Sequence, residues 1–369
     1  MNVHARKGFF HDSYTWNAIE VFSSFNLIYI RDRNGGNKGN KIVKIGFFFI
    51  VSFPGNKQGS LRVTGSTVFP VEQFLQVCCF LKIKPGLGGP GSTPIPKEFA
   101  HLTVPMMPPD YQSPEPEIPV GYEGGRVELG GVPGMRLTRT GVRKKAAMLY
   151  IHGGGFTLGS GMTAGPLLAH ILEATNLEGY SVDYSLAPYA KFPVAINQIV
   201  DFYKGLRNAG YEKIVVGGES AGAGLTLSLV MALKMEGLPM PTAIWCSSPV
   251  DDIQFDQQEV FIRDMFCASN ADMLEAYVGD ADPKDPRISP IYGDFTNFPP
   301  SFIQAGSGES LAAGALRIVD KLVRAGNEVH FTLGKGMPHT FAMDYAIYPE
   351  AENAMNEILT FINNTLDLA

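Results

Sequence analysis

The sequence predicts an α/β fold built on a mostly parallel, doubly wound sheet. Three observations carry that expectation. From about residue 125 to 365, short apolar runs alternate with longer helix-forming runs, the order that parallel strands need for their crossovers. One alternation is sharp: the β-branched run Lys213-Ile-Val-Val216 enters a glycine-rich turn, and a helix-forming run from Leu225 to Glu236 leaves it. The chain has 369 residues, 45% hydrophobic and 18% charged, which is enough apolar material for a large core.

Taken in order, residues 1–84 come first. Two aromatic-rich apolar runs flank the polar stretch Arg31-Asp-Arg-Asn-Gly-Gly-Asn-Lys-Gly-Asn40, with no helix period, and the segment reads as an N-terminal extension. Residues 85–123 are rich in proline and glycine, as in Pro85-Gly-Leu-Gly-Gly-Pro-Gly91 and Pro114-Glu-Pro116. Such a stretch holds no regular helix or central strand and reads as a linker or border. The main domain is expected over 124–369. It opens with Gly125-Arg-Val-Glu-Leu-Gly130 and Met135-Arg-Leu-Thr-Arg139, which alternate like a first hairpin. Strands are expected at 146–151, 180–184, 213–217, 242–247, 301–305 and 328–333. Helices are expected at 164–175, 194–209, 221–236, 311–325 and 350–365. Between about 253 and 290 the alternation breaks, in a span that holds Phe255, Phe261, Met265 and Phe266.

Charge and cysteine content narrow the function classes. A net charge of −6 argues against a nucleic-acid partner. The basic cluster Arg143-Lys144-Lys145 directly precedes a strand and reads as a solvated turn. The four cysteines, Cys78, Cys79, Cys246 and Cys267, show neither a disulfide framework nor zinc-ligand spacing, which suits a reducing, cytoplasmic setting. No apolar run approaches the ~20 residues a spanning helix needs. The run Ile45-Gly-Phe-Phe-Phe-Ile-Val-Ser-Phe53 is too short for that and too far from the start for an ordinary signal peptide. No His, Cys, Asp or Glu cluster has ligand spacing, so neither a metal nor a cofactor is expected.

The chemistry centres on Gly218-Glu219-Ser220-Ala221-Gly222. Strand, Gly-x-Ser-x-Gly, helix is the pattern of a nucleophile elbow, in which the serine stands at the apex of a sharp turn. Upstream, His152-Gly153-Gly154-Gly155-Phe156 follows the strand at 146–151; downstream come Glu309 and Gly336-Met-Pro-His339. The chain order is glycine loop, serine, acid, histidine. A serine hydroxyl is inert near neutral pH unless a base takes its proton, and His339 is the histidine best placed to be that base. His4, His11 and His101 precede the main domain, His170 falls in a helix and His330 in a strand, while His152 belongs to the glycine loop.

These stretches, with Asp183-Tyr-Ser-Leu-Ala-Pro188, Ser247-Ser-Pro-Val-Asp251 and Asp285-Pro-Arg-Ile-Ser-Pro290, give residues from about 125 to 365 a family. They resemble the hormone-sensitive-lipase-like carboxylesterases of the α/β-hydrolase fold. The resemblance implies a serine carboxylester hydrolase that acts on short-chain esters or lactones through an acyl-enzyme, with no cofactor. An amidase, or a non-catalytic small-molecule-binding member of the fold, is the alternative, and a homodimer is left open. It implies a catalytic set of Ser220, Glu309 and His339, and an oxyanion hole made by the N–H groups of Gly153, Gly154 and Ala221. Glu309 stands two positions before Leu311, as an aspartate often does in relatives. Many relatives carry two acids in a row, so the register stays open by one, with Asp251 and Asp252 as fallbacks. The resemblance also implies a cap region, with Phe69–Phe80 as a remnant of one cap helix and 253–290 as a second cap element. Phe156, Phe255 and Phe266 are the substrate-binding candidates. One departure stands out. Relatives read Tyr-Arg-Leu-Ala-Pro-Glu where this chain has Tyr184-Ser-Leu-Ala-Pro-Tyr189, and they carry an acid where it has Gln198. The arginine and both acids are absent together, which reads as loss of a whole ion pair and not as an orphaned charge.

Overall fold

In the computed structural model, the alternation after residue 120 closes into one eight-stranded sheet. The structure describes residues 107–368 apart from 142–145, 176 and 255–273, together with three earlier strands. The chain divides into two units, residues 1–102 and 103–369. In the first unit, β1 (Asn26–Leu27), β2 (Ile42–Phe48) and β3 (Ser66–Pro70) pair as an antiparallel sheet. Phe69 and Pro70 therefore end a strand, and the rest of the expected cap-helix remnant lies outside the described residues.

The second unit opens with the hairpin β4 (Tyr122–Leu129) and β5 (Val132–Arg139). Its parallel strands are β6 (Ala146–Ile151), β7 (Glu178–Val182), β8 (Lys213–Glu219), β9 (Ala243–Ser247), β10 (Ser301–Gly306) and β11 (Val329–Gly334). Their spatial order is β11-β10-β9-β8-β6-β7-β5-β4, and only the β4–β5 and β5–β7 pairs are antiparallel. The central strands β7 and β9 are buried along their whole length, as a sheet covered on both faces requires.

Among the described residues, five helices cover the sheet: α1 (Gly165–Ala174), α2 (Val194–Asn208), α3 (Ala221–Glu236), α4 (Ala312–Arg324) and α5 (Pro349–Leu368). Side chains of α2, α3 and α4 share one core cluster with Leu149, Val216 and Ile303 of the sheet. Those of α1 and α5 share the other with Met148, Val215 and Trp245. Successive strand residues point to opposite faces, so the two clusters are the two faces of one sheet. Helix α3 is buried from Ala221 to Leu233, which makes it a core helix with no solvent stripe over that span. The broken span near 253–290 contains a short π-helical turn, Leu274–Val278, and Phe255 and Phe266 lie outside the described residues.

Candidate active site

The site forms where β6, β8, β9, β10 and β11 end. Ser220 follows β8 with φ 55° and ψ −123°, a conformation non-glycine residues rarely adopt. The turn is held because the Ser220 N–H donates to the Ser247 carbonyl at 2.9 Å, while its own carbonyl accepts from Gly224 N–H at 3.0 Å. Its glycines are steric necessities. A Cβ on Gly218 would lie 2.3 Å from the Ile151 carbonyl oxygen, and one on Gly222 would lie 2.1 Å from the same atom. The elbow and the end of β6 therefore touch backbone to backbone. Helix α3 begins at Ala221, so its positive end lies beside the serine.

Three residues from three separate loops meet here. His339 Nε2 lies 2.9 Å from Ser220 Oγ. His339 Nδ1 is hydrogen-bonded to Glu309 Oε2. Glu309 is 2% exposed, and its other oxygen accepts from Ser248 Oγ–H and from Gly306 N–H, each at 2.7 Å. Ser248 Oγ in turn accepts from the N–H of Thr340, the residue after His339, at 2.9 Å. Ser248 thus ties the acid's loop to the histidine's loop. No role for Ser248 was legible in the sequence, because its position depends on a left-handed turn (φ 54°) at the end of β9. The fallback acids are engaged elsewhere: Asp251 Oδ2 accepts from Arg317 Nε and Nη2 at 2.9 and 2.6 Å, and Asp252 accepts from Tyr292 Oη at 2.8 Å. Burial holds the Asp251 carboxyl above the ordinary carboxylate range, although the Arg317 charge pulls the other way.

The glycine loop packs on the elbow. His152 is buried, with its ring stacked on Tyr184 at 4.3 Å and Nδ1 2.8 Å from the Gly153 carbonyl. Burial holds its imidazole below the ordinary histidine range, so it is neutral near pH 7. The structure modifies one expectation for this loop. The Gly153 N–H, expected to face an oxyanion, donates to Glu219 Oε1 at 2.7 Å and is already engaged. Phe156, expected against substrate, is 3% exposed and stacks on Tyr277 with centroids 4.1 Å apart. It pins the loop to the inserted span. Where the resemblance implied an ion pair, the side chains present are joined by neutral hydrogen bonds. Gln198 Oε1 accepts from Ser185 N–H at 2.8 Å, and its amide N–H donates to Ser185 Oγ at 3.0 Å. Among the described residues, no group of three or more His, Cys, Asp and Glu side chains is arranged to hold a metal ion, and no helix is long and apolar enough to cross a membrane.

Known proteins share this arrangement of chain. A family model described as alpha/beta hydrolase fold matches residues 148–343. An esterase of Acinetobacter venetianus is 33% identical over 250 residues, covering 66% of this chain and 82% of its own. An acetyl-hydrolase of Streptomyces hygroscopicus is 31% identical over 222 residues, covering 58% and 74%. Among solved structures, an esterase from the bacterial hormone-sensitive lipase family superposes with a TM-score of 0.63 at 30% identity, covering 68% of this chain and 86% of that one. A sheet, an elbow and a chain order derived from the residues thus meet a sequence match across the same span, and the chain belongs to the alpha/beta hydrolase family, among the hormone-sensitive-lipase-like esterases.

Proposed function

We infer that this protein is a serine carboxylester hydrolase that works through an acyl-enzyme at Ser220. The observation that carries the reading is the unbroken hydrogen-bonded chain Ser220–His339–Glu309 at the foot of a glycine loop. In this reading Ser220 Oγ attacks the ester carbonyl as His339 Nε2 takes its proton. Glu309 accepts the Nδ1–H of the same ring, fixes its tautomer and stabilises the imidazolium that forms. His339 then gives the proton to the departing alcohol. Water enters by the same route, and the acid is released.

The carbonyl oxygen becomes an anion in the tetrahedral intermediate. Gly154 and Ala221 are the N–H donors proposed for it, with the start of α3 adding its positive end. Gly153 serves the hole through its link to Glu219. Short acyl groups are the proposed substrates, a choice supported by the acetyl-hydrolase among the relatives. The test is hydrolysis of p-nitrophenyl acetate, butyrate and octanoate by the wild type and Ser220→Ala, both shown to be folded. Turnover that vanishes with the serine and falls with acyl length is the expected result. A folded wild type no faster than the variant on all three esters would leave a binding protein on a hydrolase scaffold.

A further inference from the structure

Glu219 immediately precedes Ser220, and its carboxylate bridges two points of another strand-loop unit. Oε1 accepts the Gly153 N–H at 2.7 Å, and Oε2 accepts the Tyr150 hydroxyl. Those partners flank His152, so both sides of the bend from β6 into the glycine loop end on one side chain. The register explains the reach. Tyr150 pairs with Gly217 across β6 and β8, two residues before Glu219, which places the tyrosine and the glutamate on the same face.

We propose that Glu219 is a positioning residue for the oxyanion hole, fixing the glycine loop against the elbow so that the Gly154 amide points at the reacting carbonyl. The proposal rests on the esterase reading of Ser220. Two observations and one electrostatic argument support it. First, the fit leaves no slack: a Cβ on Gly153 would lie 2.7 Å from the Glu219 carbonyl oxygen, 2.9 Å from its Oε1 and 3.2 Å from Ser220 Cβ. Second, Tyr150 is a dependable donor, because burial and the neighbouring Glu219 carboxylate hold its phenol well above the ordinary range. Third, a carboxylate beside a developing oxyanion opposes it electrostatically if it acts through its charge. The benefit of Glu219 is therefore geometric, and a neutral side chain of the same shape should supply most of it. A glutamine offers its carbonyl to Gly153 N–H and its amide N–H to the Tyr150 oxygen.

The experiment compares wild type, Ser220→Ala, Glu219→Ala, Glu219→Gln and Tyr150→Phe on p-nitrophenyl butyrate, with kcat and KM taken across the pH range and melting followed for each. For Glu219→Ala, kcat per folded molecule should fall roughly 100-fold, the scale expected when a donor is displaced by about 1 Å. KM should stay within about threefold, since only transition-state contacts are lost. Glu219→Gln should recover to within about tenfold of wild type, and Tyr150→Phe should fall between the two. A kcat unchanged in Glu219→Ala overturns the proposal, and so do equal losses in the Ala and Gln variants, or a loss confined to KM. If Glu219→Ala does not fold, Tyr150→Phe and Glu219→Gln decide it by the same criteria. Absence of Ser220-dependent turnover in the wild type defeats the esterase reading and this role with it; wild-type turnover that survives Glu219→Ala defeats only the role.

Discussion

Glu309 and Asp251 are both buried carboxylates near the end of the sheet, and what faces each separates them. Glu309 meets an imidazole, a hydroxyl and an amide, all neutral or transiently charged. Asp251 meets the permanent charge of Arg317 and is 0% exposed. Exchange of the acid should therefore separate rate from stability. Glu309→Gln should lower kcat by roughly 10³- to 10⁴-fold, the cost of holding the wrong tautomer. Asp251→Asn should leave kcat within about tenfold but lower stability by about 2 kcal/mol, less than a fully buried pair costs because Arg317 keeps 24% exposure. Steady-state kinetics with denaturant melts would check both, and the reverse pattern would move the acid to Asp251. In the sequence, Ser220 and His339 were legible as a pair because glycine and proline punctuation and chain order constrain both. The acid stayed open by one position, since a turn's register depends on its hydrogen bonds. Here the Gly308 N–H donates to the Met337 carbonyl in the histidine's loop at 3.0 Å, and position 309 is the one that projects its side chain to the ring.

Among the elements, the elbow is the most constrained junction. Strand β8, Ser220 and α3 turn within a few residues, and Gly222 rests against the ends of β6 and the glycine loop. Gly222→Ala would put a methyl 2.1 Å from the Ile151 carbonyl oxygen and 2.6 Å from that of His152. Both neighbours are backbone and cannot swing aside, so the expected loss is about 2 kcal/mol or more, in the range of overpacking. Turnover should fall as well, because the displaced strand end carries the glycine loop. A Gly222→Ala protein that melts and turns over like wild type would show that this junction yields. The regular elements were legible to within a few residues because hydrophobic period and flanking glycines mark them; α3, expected at 221–236, spans Ala221–Glu236. The π-helical turn Leu274–Val278 was not, since no periodic pattern announces one turn shaped by its neighbours. The Ser185–Gln198 bridge was half visible: the neutral residue types showed in the sequence, but the two hydrogen bonds between them did not.

At the scale of the molecule, the division at residue 102 lies inside the stretch expected as a linker, 85–123. We propose residues 103–369 as an autonomous catalytic unit, since Ser220, Glu309, His339, the glycine loop and Glu219 all fall within it. That fragment should be soluble, show an α/β circular dichroism spectrum and keep kcat/KM within about threefold of the full chain. An insoluble or inactive fragment beside an active full chain would give the first hundred residues a part in folding or in the site. The hydrogen bond between Ser220 and His339 joins residues 119 positions apart in the chain. Between them lie β9, β10 and β11, each paired to its neighbour in the sheet. Ser220 and His339 cannot meet until that whole half of the sheet has docked. On refolding from denaturant, the rate of ester cleavage then reports the fraction of chains in which that half of the sheet has assembled.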